Sequence, residues 1–203
     1  MAKKSKIAIF GGTFNPPHIA HVRAAERFSE IVNPDVFYII PACVPPHKDY
    51  SGTVSPQERT EMCTLAFGHI PNVEISDIEI KRGGRSYTYL TLEALSSSDK
   101  ELYLLCGTDM FLTLDEWVNP DIIFKLATIC VIRRESDPEC YNKIREKSKK
   151  FVLDFNAKII EIPTDVIEIS SSELRDRLFD SNVASEFIPE AVLSYIKNKG
   201  IYK

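Results

Sequence analysis

Apolar residues follow two patterns that alternate along this 203-residue chain: short unbroken runs, and stretches where they recur at every third or fourth position. Unbroken runs suit strands buried on both faces of a parallel sheet. They predict strands over 6–10 (Lys-Ile-Ala-Ile-Phe), 36–40, 102–106, 129–132 and 158–162, and a partly alternating one over 73–80. The wider spacing predicts helices, each with one apolar face that can lie on the sheet. The first opens at His18 and carries Ile19, Val22, Ala25, Phe28 and Val32. Further helices are expected over 56–69, near 87–95, and over 109–117, 120–126, 141–155, 171–179 and 189–199. Pro56 and Pro189 stand at helix starts and Gly200 just past the last helix, where each is favoured. A long loop is expected over 41–53, and a positive, glycine-softened one at Lys81-Arg82-Gly83-Gly84-Arg85.

Strands and helices that alternate in this way imply an α/β fold. The expectation is a Rossmann-like, doubly wound parallel sheet with helices on both faces and ligands beyond the C-terminal strand ends. At roughly 150 residues per domain, the length favours a single domain over 1–203, with a C-terminal helical portion from about 164. A chain 44% hydrophobic and 27% charged can bury one sizeable core. Its net charge of −4 argues against a nucleic-acid-coating surface and favours small anionic substrates. The basic stretch 141–155, with Lys143, Arg145, Lys147, Lys149 and Lys150, is diluted by Glu146 and acidic flanks and reads as a solvated helix face. Five scattered cysteines without C-x-x-C spacing indicate neither a disulfide framework nor a zinc site, so a reducing cytoplasm is expected. The basic start is followed by an apolar stretch that breaks at Gly11-Gly12, too short for a signal peptide, and no apolar run is long enough to span a membrane. A homo-oligomer is compatible with all of this.

The densest chemistry lies in Gly11-Gly12-Thr13-Phe14-Asn15-Pro16-Pro17-His18-Ile19-Ala20-His21. A buried strand runs into a glycine turn, where main-chain N–H groups of Gly11, Gly12, Thr13 and Phe14 can face an anion. His18 and His21 are neighbours on the helix that follows, close to its N-terminus, where free N–H groups and the dipole already favour phosphate. Strand-turn-helix units are ordinary α/β construction, but two histidines at this offset point to a phosphate site. Neither G-x-G-x-x-G nor G-x-x-x-x-G-K-[ST] is present there, which argues against a dinucleotide-dependent dehydrogenase or a kinase. Some 150 residues further on, Ile169-Ser170-Ser171-Ser172-Glu173-Leu174-Arg175 sets hydroxyls at a helix start with an arginine one turn in. Ser170 with Glu173 fits a capping box, while Ser171, Ser172 and Arg175 can also grip phosphates.

The first segment resembles the G-G-[ST]-F-D-P-x-H-x-G-H signature of the nucleotidyltransferase superfamily, with Asn15 for aspartate and Ala20 for glycine. The second resembles the I-S-S-T-x-[IL]-R signature of the nicotinate mononucleotide adenylyltransferases, with Ser172 for threonine. Between them, Pro45-Pro46-His47-Lys48 resembles that family's P-P-H-K loop, and 86–92 resembles S-Y-T-x-D-T-L with Leu90 for aspartate. Gly107-Thr108-Asp109 resembles its G-[AG]-D, and Trp117 matches the tryptophan that follows.

The resemblance implies adenylyl transfer from ATP to nicotinate mononucleotide, giving nicotinate adenine dinucleotide and pyrophosphate with Mg²⁺ as cofactor. His18, His21, Lys48 and Arg175 would be catalytic through charge stabilisation rather than proton abstraction. ATP would lie against Gly11, Gly12, Thr13, Phe14, His18, His21, Asp109, Ser171, Ser172 and Arg175. The mononucleotide would meet Phe14, Asn15, Lys48, Tyr87, Thr88 and Trp117, with the indole stacked on the pyridine ring. Mg²⁺ would be held mainly by ATP phosphates, with Asp109 the candidate protein ligand. Rival readings are the same chemistry on nicotinamide mononucleotide, pantetheine phosphate or flavin mononucleotide, and a nucleotide-binding regulatory module without catalysis. No K-M-S-K-S element accompanies the histidines, which weakens a synthetase-like reading.

Overall fold

Successive residues of the first apolar run face opposite sides of a sheet, and both sides are buried. Ile7 and Ile9 belong to one hydrophobic cluster, Ala8 and Phe10 to the other. The structure is a computed structural model that describes residues 3–45, 54–133, 138–163, 169, 171–176 and 181–202. Its strands are β1 (Ser5–Gly12), β2 (Val36–Pro41), β3 (Val73–Ile75), β4 (Lys100–Gly107), β5 (Ala127–Ile132) and β6 (Ile159–Ile162). They form one parallel sheet in the order β3-β2-β1-β4-β5-β6, the doubly wound arrangement expected from the alternation.

Helices cover both faces. The Ala8 and Phe10 side carries α1 (Ile19–Val32) and α2 (Pro56–Phe67). It also carries the C-terminal helices α8 (Ser171–Asp176), α9 (Ser181–Phe187) and α10 (Glu190–Lys199). The Ile7 and Ile9 side carries α3 (Ile78–Arg82), α4 (Thr88–Leu95), α5 (Thr108–Leu112), α6 (Pro120–Leu126) and α7 (Pro138–Phe155). Among the described residues no helix is long and apolar enough to cross a membrane.

Five expectations need correction. The strand over 73–80 ends at Ile75, and α3 takes its second half; a helical turn lets Lys81 pair with Asp77 at 3.0 Å and buries Glu79 against the Thr91 hydroxyl at 2.7 Å. The loop expected from Lys81 therefore begins at Gly83, whose positive φ of 72° closes the helix. The helix over 109–117 divides into α5 and a short 3-10 turn, Leu114–Glu116. The C-terminal part holds a further helix, α9, whose sequence lacks apolar periodicity and which reaches the core mainly through Ala184 and Phe187; residues 177–179 of the expected helix lie outside the described ones. Helix α7 starts earlier than expected, at Pro138.

Three lysines of α7 pair with carboxylates of the fold. Lys147 and Lys150 reach Asp115 of the 3-10 turn at 2.9 and 3.0 Å, and Lys143 pairs with Glu139 at 2.7 Å. Burial pushes the Asp115 carboxyl up, but these lysine hydrogen bonds more than offset it and hold the group below the usual carboxylate range.

Candidate active site

The chain leaves β1 toward one face of the sheet and leaves the adjacent β4 toward the other. Their C-terminal ends therefore border a crevice, the place where open α/β sheets bind ligands. Gly11, Gly12 and Thr13 form one lip, and Gly107, Thr108 and Asp109 the other. Asp109 is exposed there, at the start of α5.

His18 is the N-cap of α1, extended at φ −138° and ψ 173°. Its backbone N–H donates to His21 Nδ1 at 3.3 Å. With Nδ1 accepting, the His21 ring proton is assigned to Nε2, a donor of the kind phosphate oxygens accept from. The two rings lie 3.7 Å apart between centroids, tilted by 37°. Both are buried, His18 to 1% and His21 to 9% exposure, so their orientation is set by packing rather than by solvent. Phe14 meets His21 edge-on at 5.2 Å, and also packs on Phe10 at 5.3 Å and Phe67 at 5.5 Å.

That burial changes how the turn works. The positive φ falls on Phe14, at 48°, while neither Gly11 nor Gly12 has one. Gly12 is needed for space: a Cβ there would stand 2.9 Å from Phe14 Cζ. A Cβ on Gly11 would meet nothing within 4 Å, so this position leaves open room at the end of the sheet. Since the Phe14 ring is 2% exposed, its expected contact with substrate comes down to its backbone N–H. Arg59, fully buried on α2, donates through Nη1 to Thr13 O at 2.8 Å, and through Nη2 to Ala42 O and to Cys43 O at 3.3 Å. Pulling the Thr13 carbonyl toward α2 turns the Phe14 N–H of the same peptide plane the opposite way.

Helix α8 reaches the same turn. Arg175 Nη1 donates to Asn15 O at 2.8 Å and Nη2 to Ser172 Oγ at 3.0 Å, while the Ser171 hydroxyl donates to Pro16 O at 3.1 Å. Two residues expected on ATP phosphates thus hold the backbone beside the histidines. The Asn15–Pro16 peptide bond is cis.

The mononucleotide residues are brought together in part. Cys43 N–H donates to Ser86 Oγ at 2.8 Å and Ser86 N–H to Val44 O at 2.9 Å, so the segment after β2 is zipped to the start of α4. This puts Tyr87 and Thr88, both half-buried, near Val44, one residue before the described segment ends. Lys48 itself lies outside the described residues, as does Ser170. Trp117 follows the 3-10 turn and packs partly on the core beneath α4 to α7, leaving part of the residue exposed. Among the described residues there is no group of three or more His, Cys, Asp or Glu that would hold a metal.

Known proteins show the same chain architecture. The sequence profile of the cytidylyltransferase-like family matches residues 9–177. A protein of Desulfatibacillum aliphaticivorans is 33% identical over 214 residues, covering 97% of this chain and 99% of its own length. One from Listeria monocytogenes is 35% identical over 201 residues, covering 98% of each. Both carry the name "Probable nicotinate-nucleotide adenylyltransferase". The chain belongs to the nicotinate-nucleotide adenylyltransferase family. The fold agrees with that of Plasmodium falciparum nicotinic acid mononucleotide adenylyltransferase complexed with NaAD, at TM-score 0.75 and 20% identity, covering 98% of this chain and 97% of that one. The same enzyme complexed with APC gives a TM-score of 0.74.

Departures from the adenylyltransferase signatures are accommodated locally. Asn15 keeps a side-chain oxygen where the signature has a carboxylate, and that Oδ1 accepts the Tyr202 hydroxyl. Ala20 sits buried in the core of α1. Leu90 makes no polar side-chain contact of the kind aspartate would, but its neighbour Thr91 binds Glu79 and accepts from Arg82 at 3.1 Å. The sequence alone gives no role to Arg59 or Tyr202, and Ser86 enters it only as the first residue of the 86–92 motif. A signal existed for Arg59, which shares the buried face of α2 with Met62, Cys63, Ala66 and Phe67 at helical spacing. A charge on an apolar face demands partners.

Proposed function

We propose that this protein transfers the adenylyl group of ATP to nicotinate mononucleotide, forming NaAD and pyrophosphate. The observation that carries the reading is the buried, closely packed His18 and His21 pair at the head of α1, beside the crevice where β1 and β4 diverge. A phosphate oxygen of the mononucleotide attacks the α-phosphorus of ATP. A new P–O bond forms, the bond from that phosphorus to the bridging oxygen breaks, and pyrophosphate leaves with the electron pair. The nucleophile is already an anion, so no general base is required; the work is positioning and charge neutralisation. His21 Nε2 and the His18 ring donate to phosphate oxygens in the transition state, and the α1 N-terminus adds its dipole.

On the far lip, Asp109 is exposed and suited to a ribose hydroxyl or a metal-bound water. One carboxylate beside a polyphosphate fits Mg²⁺, which Asp109 would help hold together with the phosphates of ATP. When bound, that ion would neutralise charge on the leaving pyrophosphate. Lys48 supplies further charge on sequence grounds, and the half-exposed Trp117 offers an indole face to the pyridinium ring. Arg175 and Ser171 act on ATP partly through the turn they hold, with Ser172 exposed toward solvent at the same helix start. The five scattered, free cysteines agree with work in a reducing cytoplasm.

The test is pyrophosphate release from ATP and Mg²⁺ with each mononucleotide offered in turn. Release is expected with nicotinate mononucleotide above its amide, and His18→Ala should lose about 100-fold or more in turnover, as when an oxyanion donor is removed. No release with any acceptor would leave a nucleotide-binding module instead, and near-normal turnover of His18→Ala would remove the histidine from the mechanism.

A further inference from the structure

Three donors from the C-terminal end of the chain converge on the Asn15 and Pro16 pair. Ser171 and Arg175 take the two backbone carbonyls from 155 and 160 residues away, and the Tyr202 hydroxyl takes the Asn15 side-chain oxygen from 187 residues away. Tyr202 arrives there by construction. Helix α10 ends in a turn at Gly200, with φ 67°, where Gly200 N–H bonds Lys197 O and Ile201 N–H bonds Ile196 O. The reversal lays Ile201 and Tyr202 back onto the core cluster shared by α1, α2 and α10. Tyr202 itself takes a positive φ of 67°, uncommon for a bulky residue. Asn15 is 8% exposed, so its amide depends on protein partners.

We propose that Tyr202 is a positioning residue for the reaction, acting through Asn15 to fix the turn that sets the His18 and His21 rings. The proposal rests on the adenylyl-transfer reading above. The turn is pinned from two parts of the chain: Arg59 of α2 holds Thr13 O, while Arg175, Ser171 and Tyr202 of the C-terminal segment hold Asn15 and Pro16. Of these four contacts, the Tyr202 one is made to a side chain. It therefore controls the rotamer of Asn15, and with it the approach of the chain to His18 two prolines later. An aspartate at position 15 would accept the same hydroxyl, so the contact does not depend on the amide.

The contact is removed by the loss of a single atom in Tyr202→Phe, with Asn15→Ala and the double variant Tyr202→Phe/Asn15→Ala alongside. If Tyr202 positions the histidines, Tyr202→Phe lowers kcat about tenfold at temperatures well below its melting point, since small misplacements of reacting groups cost that much or more. Its KM for the mononucleotide stays within about twofold of wild type, because the loss is felt in the transition state. The double variant is no worse than the poorer single one, as for two residues acting as a unit. The imidazole NMR signals of His18 and His21 shift in Tyr202→Phe. The proposal is overturned if Tyr202→Phe keeps kcat within about twofold and leaves both imidazole signals in place. It is equally overturned if only the melting temperature falls, or if the two single losses simply add. Wild-type protein inactive on every mononucleotide would sink the reaction itself, and the imidazole signals would still report whether Tyr202 sets the rings.

Discussion

At the scale of single residues, the glycine pair at the end of β1 divides its tasks. Gly12 is small because the Phe14 ring occupies the space its side chain would need, and that ring is locked among Phe10, Phe67 and His21. Gly12→Ala should therefore cost about 1 to 3 kcal/mol, as overpacking does, read as a lower melting temperature. Gly11→Ala meets nothing in the protein, so its melting temperature should match wild type within about 0.5 kcal/mol of stability. Its methyl group stands in the open room at the strand end, and KM for ATP should rise severalfold. Both glycines are legible in the sequence as turn residues; that the fold needs Gly12 for space and leaves Gly11 open depends on where the Phe14 ring lies.

Among elements, the C-terminal helices have to be seated on α2 before Arg175, Ser171 and Tyr202 can reach the turn. Leu174, Ala184, Ile188, Val192 and Ile196 supply the apolar contact, and the Tyr195 hydroxyl donates to Glu61 at 2.7 Å. Burial, and then the bond to Glu61, pushes the Tyr195 phenol up to about 12. A phenol whose folded value is raised contributes stability that is fully present below its unfolded value near ~10 and is lost as pH climbs through about 12. Tyr195→Phe should be less stable than wild type at pH ~8 by about 1 kcal/mol, and the gap should close toward pH ~12. Chemical denaturation across that range measures it. The spacing of apolar residues marked α10 and α1 well because each lays one continuous face on the core. It misplaced 73–80 because Ile75, Ile78 and Ile80 suit either a strand or a helical turn. Glu79 decides between them, since only the helical turn lets it reach Thr91 under α4.

The molecule as a whole is two hydrophobic clusters separated by one sheet, with the crevice where the winding reverses. A nucleotide bound across β1 and β4 would touch chain segments from both clusters and should stabilise them together. At a ligand concentration about 100 times Kd the gain is about 2.7 kcal/mol, which raises the melting temperature by roughly 5 to 11 °C for a chain this size. A thermal melt with a non-hydrolysable ATP analogue checks this, and a shift of one part of the transition alone would mean that the ligand engages a single face. The sequence by itself determined the α/β winding, because strands buried on both faces must be apolar throughout and the helices between them must be apolar on one side. It also determined that His18 and His21 stand side by side, because residues one turn apart at a helix start are neighbours wherever that helix sits. Only the tertiary structure decided that Arg59, Arg175, Ser171 and Tyr202 all serve the same four-residue turn. Those contacts join positions far apart in the chain, and no local spacing encodes a hydrogen bond between them; it exists once the two faces of the sheet have been covered and the ends of the chain brought together.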